Sequence, residues 1–177
     1  MPTSRYPIRS FEDIFVRIDR RFEIEDDREY DCLGIRLDGN GPYIRETKLG
    51  ATIKRKRQWS VKKGDVLYNK LFAWRGAFAI ADESVDGCIA SDKFPAYRVD
   101  HDKVSIDYLR LFFRSRMLSS QAEEMSKGAA ALSKYTLNPP DFPRLRIPLP
   151  SLSEQAHIVR RADRLLRALN RIRELRA

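Results

Sequence analysis

The chain has 177 residues, with 34 Lys plus Arg against 25 Asp plus Glu, a formal net charge of +9, and 42% hydrophobic residues. Such a chain suits one domain, or one domain with an appendage, and carries enough apolar side chains for a core, which excludes a disordered composition. No apolar run reaches the about 18 residues of a membrane span, and residues 1–6 lead into no apolar leader segment, so a cytoplasmic protein is expected.

In chain order, Ser10 stands as a possible N-cap for a short helix-like stretch from Phe11 to Phe15. Residues 30–37 read as a strand, stopped by the turn cluster Asp38-Gly39-Asn40-Gly41-Pro42. Residues 51–61 are rich in β-branched and basic side chains and read as a polar strand or loop. Lys63-Gly64-Asp65 is a turn, and Val66-Leu67-Tyr68 a buried strand. Short apolar runs follow at 76–80 and 88–90, and an alternating one at 94–99, whose proline favours an edge or a bulge. The middle of the chain is therefore mostly β. A helix begins near Ser105, with Leu109, Phe112, Phe113 and Met117 on one face and Gly128 able to end it or its continuation. Residues 127–135 are small and basic and suit a flexible loop. Asn138-Pro139-Pro140-Asp141-Phe142-Pro143 is a rigid turn, and residues 144–150 form a last short strand stopped by prolines. Ser151 followed by Glu154 has the spacing of a capping box for a helix running to the end of the chain.

The charge is unevenly placed. Residues 11–31 hold nine acidic against four basic side chains, residues 45–75 ten basic against two acidic, and residues 151–177 seven arginines against three acidic. A sharply basic middle is the footprint of a phosphate-backbone binder, although a solvated basic face or an acidic protein partner has the same signature. Aromatics interleave with the run, among them Trp59, Tyr68, Phe72, Trp74 and Phe78, and some of these belong to the core. Cys32 and Cys88 lie far apart and form neither a metal-ligand pattern nor a disulfide framework, so two reduced thiols are expected.

Three motifs touch on catalysis, and each has a plainer reading. Asn138-Pro139-Pro140-Asp141 is similar to the motif with which amino-group DNA methyltransferases stack a flipped base. Here the aromatic Phe142 comes one place late, no Gly-rich loop for a methyl donor is present, and a proline turn suffices. Glu46-Thr47-Lys48, with Asp31 or Asp38, has the outline of a Mg²⁺-dependent nuclease site, since paired carboxylates hold the ion and a lysine steadies the attacking water. A surface turn beside a basic strand explains the same residues. His101 and His157 have no nucleophile or second ligand nearby in sequence. No metal, cofactor or catalytic residue is therefore expected, which favours a binding module.

The C-terminal third carries a more specific pattern. Leu145-Arg146-Ile147-Pro148-Leu149-Pro150-Ser151-Leu152-Ser153-Glu154-Gln155-Ala156-His157-Ile158-Val159 resembles the "I-P-L-P-x-L-x-E-Q-x-x-I-V" signature of type I restriction–modification specificity subunits. Lys63-Gly64-Asp65-Val66-Leu67-Tyr68 followed by Trp74-Arg75-Gly76 resembles the family's "G-D-V-L" segment, and Ser105-Ile106-Asp107-Tyr108-Leu109 its "I-D-x-x-Y-L" helix. The resemblance runs over roughly residues 8–175 in the family's order. It implies a non-catalytic subunit in which two target-recognition domains, each followed by a long helix, read the two halves of a split DNA target. Such a subunit tethers methyltransferase subunits that modify adenine and restriction subunits that translocate and cut. This chain departs from that pattern in having one recognition domain and one helix.

The expected fold is thus α+β: a mixed, mostly antiparallel β recognition domain with flanking helices over residues 1–150, and a coiled-coil-like helix over 151–177. The expected function is sequence-specific binding of double-stranded DNA in a restriction–modification or related defence complex. The alternatives are a stand-alone nuclease and an adaptor for an acidic protein. Phosphate contacts are assigned to Arg45, Lys48, Lys54, Arg55, Lys56 and Arg57. Base contacts are assigned to Lys70, Trp74, Arg75, Lys93, Lys134 and Tyr135, because Arg and Lys suit guanine's acceptors in the major groove. Trp74 could equally be core, and Tyr135 could brace its loop. Along the last helix Ile158, Ala162, Leu165, Leu169 and Ile172 are spaced alternately four and three apart, an a/d seam that would pair two copies of the chain. A helix folded back on its own domain would show the same stripe.

Overall fold

The structure, a computed structural model, describes residues 5–126 and 135–174. Its strands form three sheets, and all strand pairs but one are antiparallel, so the α+β, mixed and mostly antiparallel fold expected from the sequence is the one observed. The smallest sheet pairs β1 (Ile8–Ser10) with β11 (Arg146–Pro148) and so fastens the start of the chain to the segment before the last helix. A four-stranded sheet runs in the order β2 (Phe15–Ile18), β10 (Ala96–Val99), β7 (Val66–Tyr68) and β8 (Phe78–Ile80). The third sheet has the order β3 (Arg21–Glu23), β6 (Arg57–Ser60), β9 (Ile89–Ala90), β4 (Glu29–Ile35) and β5 (Pro42–Leu49). Within it β4 and β9 are parallel, with Cys32 opposite Ile89.

In the four-stranded sheet β7 and β8 are buried on both faces, while Val16 on the edge strand β2 and Arg98 on β10 are exposed. Side chains alternate across a strand, and accordingly Val66 and Tyr68 join one apolar cluster while Leu67 joins another; Phe78 and Ile80 part from Ala79 in the same way. One face packs on the helices α1 (Ile106–Phe113) and α2 (Arg116–Ser126), the other on Leu33, Ile35 and Ala90 of the five-stranded sheet. Burial on both sides explains why β7 and β8 read as continuous apolar runs rather than alternating ones. Phe142 lies at the centre of the first cluster, fully buried, its ring 4.0 Å from Tyr97 and 4.9 Å from Tyr68. The aromatic after the two prolines is therefore a core stack and cannot hold a flipped base.

Several expectations are corrected. The helix-like start is a single 3-10 turn, Phe11–Asp13, flanked by β1, β2 and β3, each too short to show a period in sequence. Its cap does form: the Asp13 carboxylate accepts from the Ser10 N–H and Oγ. Residues 51–61 contribute one short strand, β6, after a 3-10 turn, and the longest strand, β5, lies where the sequence suggests a surface turn. The single helix from Ser105 is two. Ser105 caps α1 by accepting from the Tyr108 N–H, but α1 ends at Phe113, where the N–H groups of Arg114 and Ser115 fall back to Leu111 and Phe112. That tightened turn reorients α2, and Met117 is 45% exposed rather than on the buried face.

The last helix, α3 (Leu152–Glu174), is rooted on α1. The Glu154 N–H meets Ser151 Oγ at 3.4 Å, as a capping box requires, but the Glu154 carboxylate is turned away and accepts from the Tyr6 hydroxyl. Gln155 is the fastener. Its buried side chain accepts from the Ser105 N–H and donates to the carbonyls of Lys103 and Pro150. Among the described residues no helix is long and apolar enough to cross a membrane.

Candidate nucleic-acid interface

The basic run 45–75 does not make one patch. β5 and β6 occupy places separated by β9 and β4 in the five-stranded sheet, so Arg45 and Lys48 on β5 stand roughly 14 Å from the β6 row at three strand spacings. Acidic side chains also interlace with the run. Arg45 and Lys48 both pair with Glu46, Lys56 pairs with Asp26 and donates to the Gly50 carbonyl, and Arg55 pairs with Asp92. Of the six expected phosphate contacts only the exposed Lys54 and Arg57 make no ion pair among the described residues. Four of the six expected phosphate contacts thus face a carboxylate. The nuclease outline dissolves in the same contacts: Glu46 is held below the usual carboxylate range by Arg45 and Lys48, and Asp31 accepts from Thr47. Among the described residues no three His, Cys, Asp or Glu side chains gather as a metal site would need.

The base-contact candidates, by contrast, converge. The loop after β7 is a compact turn in which the Asn69 side chain accepts from Leu71 N–H and its carbonyl from Phe72 N–H, while the Gly76 and Arg75 N–H groups return to Ala73 and Phe72. Its two ends are braced from different directions. The β4–β5 turn holds one, with Asp38 N–H on the Arg75 carbonyl and Gly39 N–H on the Gly76 carbonyl. Gly76 needs its positive φ of 71°, and a Cβ there would come within 3.1 Å of Asp38 Cα. At the other end Lys70 N–H donates to the Lys93 carbonyl, and the Lys70 carbonyl accepts from Leu137 N–H. Lys70, Lys93 and the segment entering at Tyr135 thus meet although distant in sequence.

Trp74 is half-buried, its Nε1–H on the Leu71 carbonyl and its ring 5.0 Å from that of Tyr135. Arg75 lies 5.8 Å over the same indole. Tyr135 has a left-handed φ of 69°, an uncommon conformation for an aromatic residue. Lys134, the remaining candidate, lies outside the described residues. Two further side chains join this cluster that sequence reasoning does not assign to it. Phe72 is 43% exposed at the turn, and Asp92 sits between Arg55, at 3.1 Å, and Lys70, at 3.7 Å. An apolar residue in a basic loop is the signal for the first; nothing in sequence marks the second.

The family model for the type I restriction modification DNA specificity domain matches residues 9–176. The chain belongs to that family. No curated protein matches this specificity domain. Among solved structures it is similar to the HsdS subunit from Thermoanaerobacter tengcongensis, with a TM-score of 0.72 and 20% identity over 97% of this chain and 44% of that one. A second similar chain comes from a structure describing complex assembly and conformational transition of the type I R-M system, with a TM-score of 0.70 and 22% identity over 98% of this chain and 46% of that one. The specificity domain therefore spans less than half the length of the solved chains it matches, and shares their fold. The family is one of DNA specificity rather than of catalysis.

Proposed function

We propose that this chain reads one half of a split double-stranded DNA target as the non-catalytic specificity component of a type I restriction–modification complex, with methyltransferase and restriction subunits as its partners. Residues 1–150 act as the recognition domain and residues 151–177 as a spacer and pairing helix. The observation that carries the reading is the family match over residues 9–176. The convergence of Lys70, Trp74, Arg75, Lys93 and Tyr135 on one braced loop supports it. Lys54 and Arg57 position the duplex through its phosphates, while the loop reads base edges. Lys134, one residue before Tyr135, contributes there as well.

Selection of bound sequences from random duplex DNA tests the proposal. It should return a half-site of a few defined base pairs, with no cleavage in Mg²⁺. With Lys54 and Arg57 each neutralising a phosphate, log K falls against log salt with a slope of roughly −2 or steeper. A slope near zero, or no sequence enrichment, overturns the reading.

A further inference from the structure

We propose that Asp92 is a specificity-determining residue that keeps two cations of the reading surface from binding DNA of any sequence. The inference rests on the DNA-binding reading above. A carboxylate facing a polyanion is repelled, so one placed against Arg55 and Lys70 calls for a physical reason. Its geometry supplies one. Asp92 Oδ1 lies 3.1 Å from Arg55 Nη1, on the segment leading into β6, and Oδ2 lies 3.7 Å from Lys70 Nζ, on the loop after β7. One carboxylate therefore spans two cations carried by segments that flank two different sheets.

The local fold does not require it. The turn Ser91-Asp92-Lys93 is closed by Phe94 N–H on the Ser91 carbonyl and by Lys93 N–H reaching Ser91 Oγ, and among the described residues no backbone N–H uses the Asp92 carboxylate. Nor does the pairing matter much for stability. The Arg55 and Asp92 side chains are 59% and 45% exposed, a setting in which ion pairs contribute little. What remains is the effect on charge. Arg55 is also held 5.8 Å over the Trp59 ring, and Lys70, with a side chain only 22% exposed, is pinned through its backbone to Lys93 and Leu137. With Asp92 present, each cation has a carboxylate beside it that offsets its charge and weakens its attraction for a phosphate of any sequence. Without it they become two free phosphate contacts, which favour every sequence alike.

Binding of Asp92→Asn, Asp92→Ala and Asp92→Glu proteins to a selected duplex and to random duplex, each across a salt series, tests this. The Asn and Ala variants should bind random duplex roughly tenfold more tightly near 0.1 M salt, with a log–log slope steeper by about 1 to 2, because each added phosphate contact contributes about 0.9 to the slope. Selectivity for the chosen site should fall by a similar factor. The Glu variant, which restores the charge, should keep the unmutated slope. If the unmutated chain binds duplex and the Asn variant leaves slope and selectivity unchanged, the proposal for Asp92 is overturned and the DNA reading stands. If the unmutated chain binds no duplex at low salt, both fall together.

Discussion

Gln155 and Asp65 show what the family-like motifs do at the scale of single residues. Asp65, in the Gly-Asp-Val-Leu stretch, is buried and accepts from Arg20 Nη1 and Nη2 and from the Lys62 N–H. Gln155, in the Glu-Gln pair, has no exposure and ties α3 to the entrance of α1 with two hydrogen bonds, a third going to the Pro150 carbonyl. Neither faces the candidate interface. The most recognisable residues are fasteners that fix where the interface sits, which is why they reveal the family and not the target. Gln155→Ala should cost about 2–4 kcal/mol, since it leaves the buried Pro150 carbonyl and the partly buried Ser105 N–H and Lys103 carbonyl without partners beside a new cavity. Gln155→Glu, almost the same shape, should cost a similar amount by turning a donor into a charge that faces two carbonyl oxygens. Urea unfolding of the two variants gives the numbers, and a loss below about 0.5 kcal/mol in both would contradict the role assigned.

At the scale of elements, legibility follows burial. β7 and β8 are apolar on both faces and are plain in sequence as strands. β5 is not, because it is a sheet edge whose residues from Ile44 to Lys48 mix exposed and half-exposed side chains of both charges, so no period-two apolar stripe appears. The break between α1 and α2 is equally hidden, since Arg114 and Ser115 are ordinary helix residues and only packing ends the helix there. Burial of polar groups inside these elements has a pH consequence. Burial pushes the Tyr97 hydroxyl on β10 and the Tyr108 hydroxyl on α1 up to about 12, and the Cys88 thiol before β9 up to about 11. In the unfolded chain they ionise near their ordinary values of 10.0 and 9.0. The folded state then binds more protons than the unfolded one above about pH 9, so stability must fall as pH rises from there to about 12 and be flat in these groups below about pH 8. Urea midpoints measured from about pH 7 to about pH 11 should show a plateau and then a decline. At about pH 8 a thiol reagent should modify Cys88 and the buried Cys32 only after unfolding.

At the scale of the whole molecule, α3 is covered along only half its length. The seam of Ile158, Ala162, Leu165, Leu169 and Ile172, widened by Leu166, is divided by the structure. Ile158 and Val159 pack against the domain's own core, so Ile158 serves as the root of the helix and not as part of a free seam. Beyond the half-buried Ala162, Leu165, Leu166, Leu169 and Ile172 stand 59%, 46%, 54% and 47% exposed. The stripe is legible because heptad spacing is a property of sequence. Its division is not, because which turns meet α1 depends on Gln155 and on contacts distant in the chain. A helix that leaves four large apolar side chains in water gains by burying them. We propose a second copy of the chain as the partner, laid antiparallel so that each bare half covers the other about a twofold axis. Twofold symmetry would then require a palindromic split target, with the spacing of its halves set by α3, roughly 34 Å long at about 1.5 Å per residue. Leu165→Glu combined with Leu169→Glu should leave the recognition domain folded and yield a monomer in sedimentation. Its affinity for a duplex with one half-site should be unchanged. On a duplex with two inverted half-sites it should lose the roughly 10²-fold gain that linked binding confers. An unmutated chain that sediments as a monomer at high concentration would exclude the homodimer and assign the bare half of α3 to a different subunit.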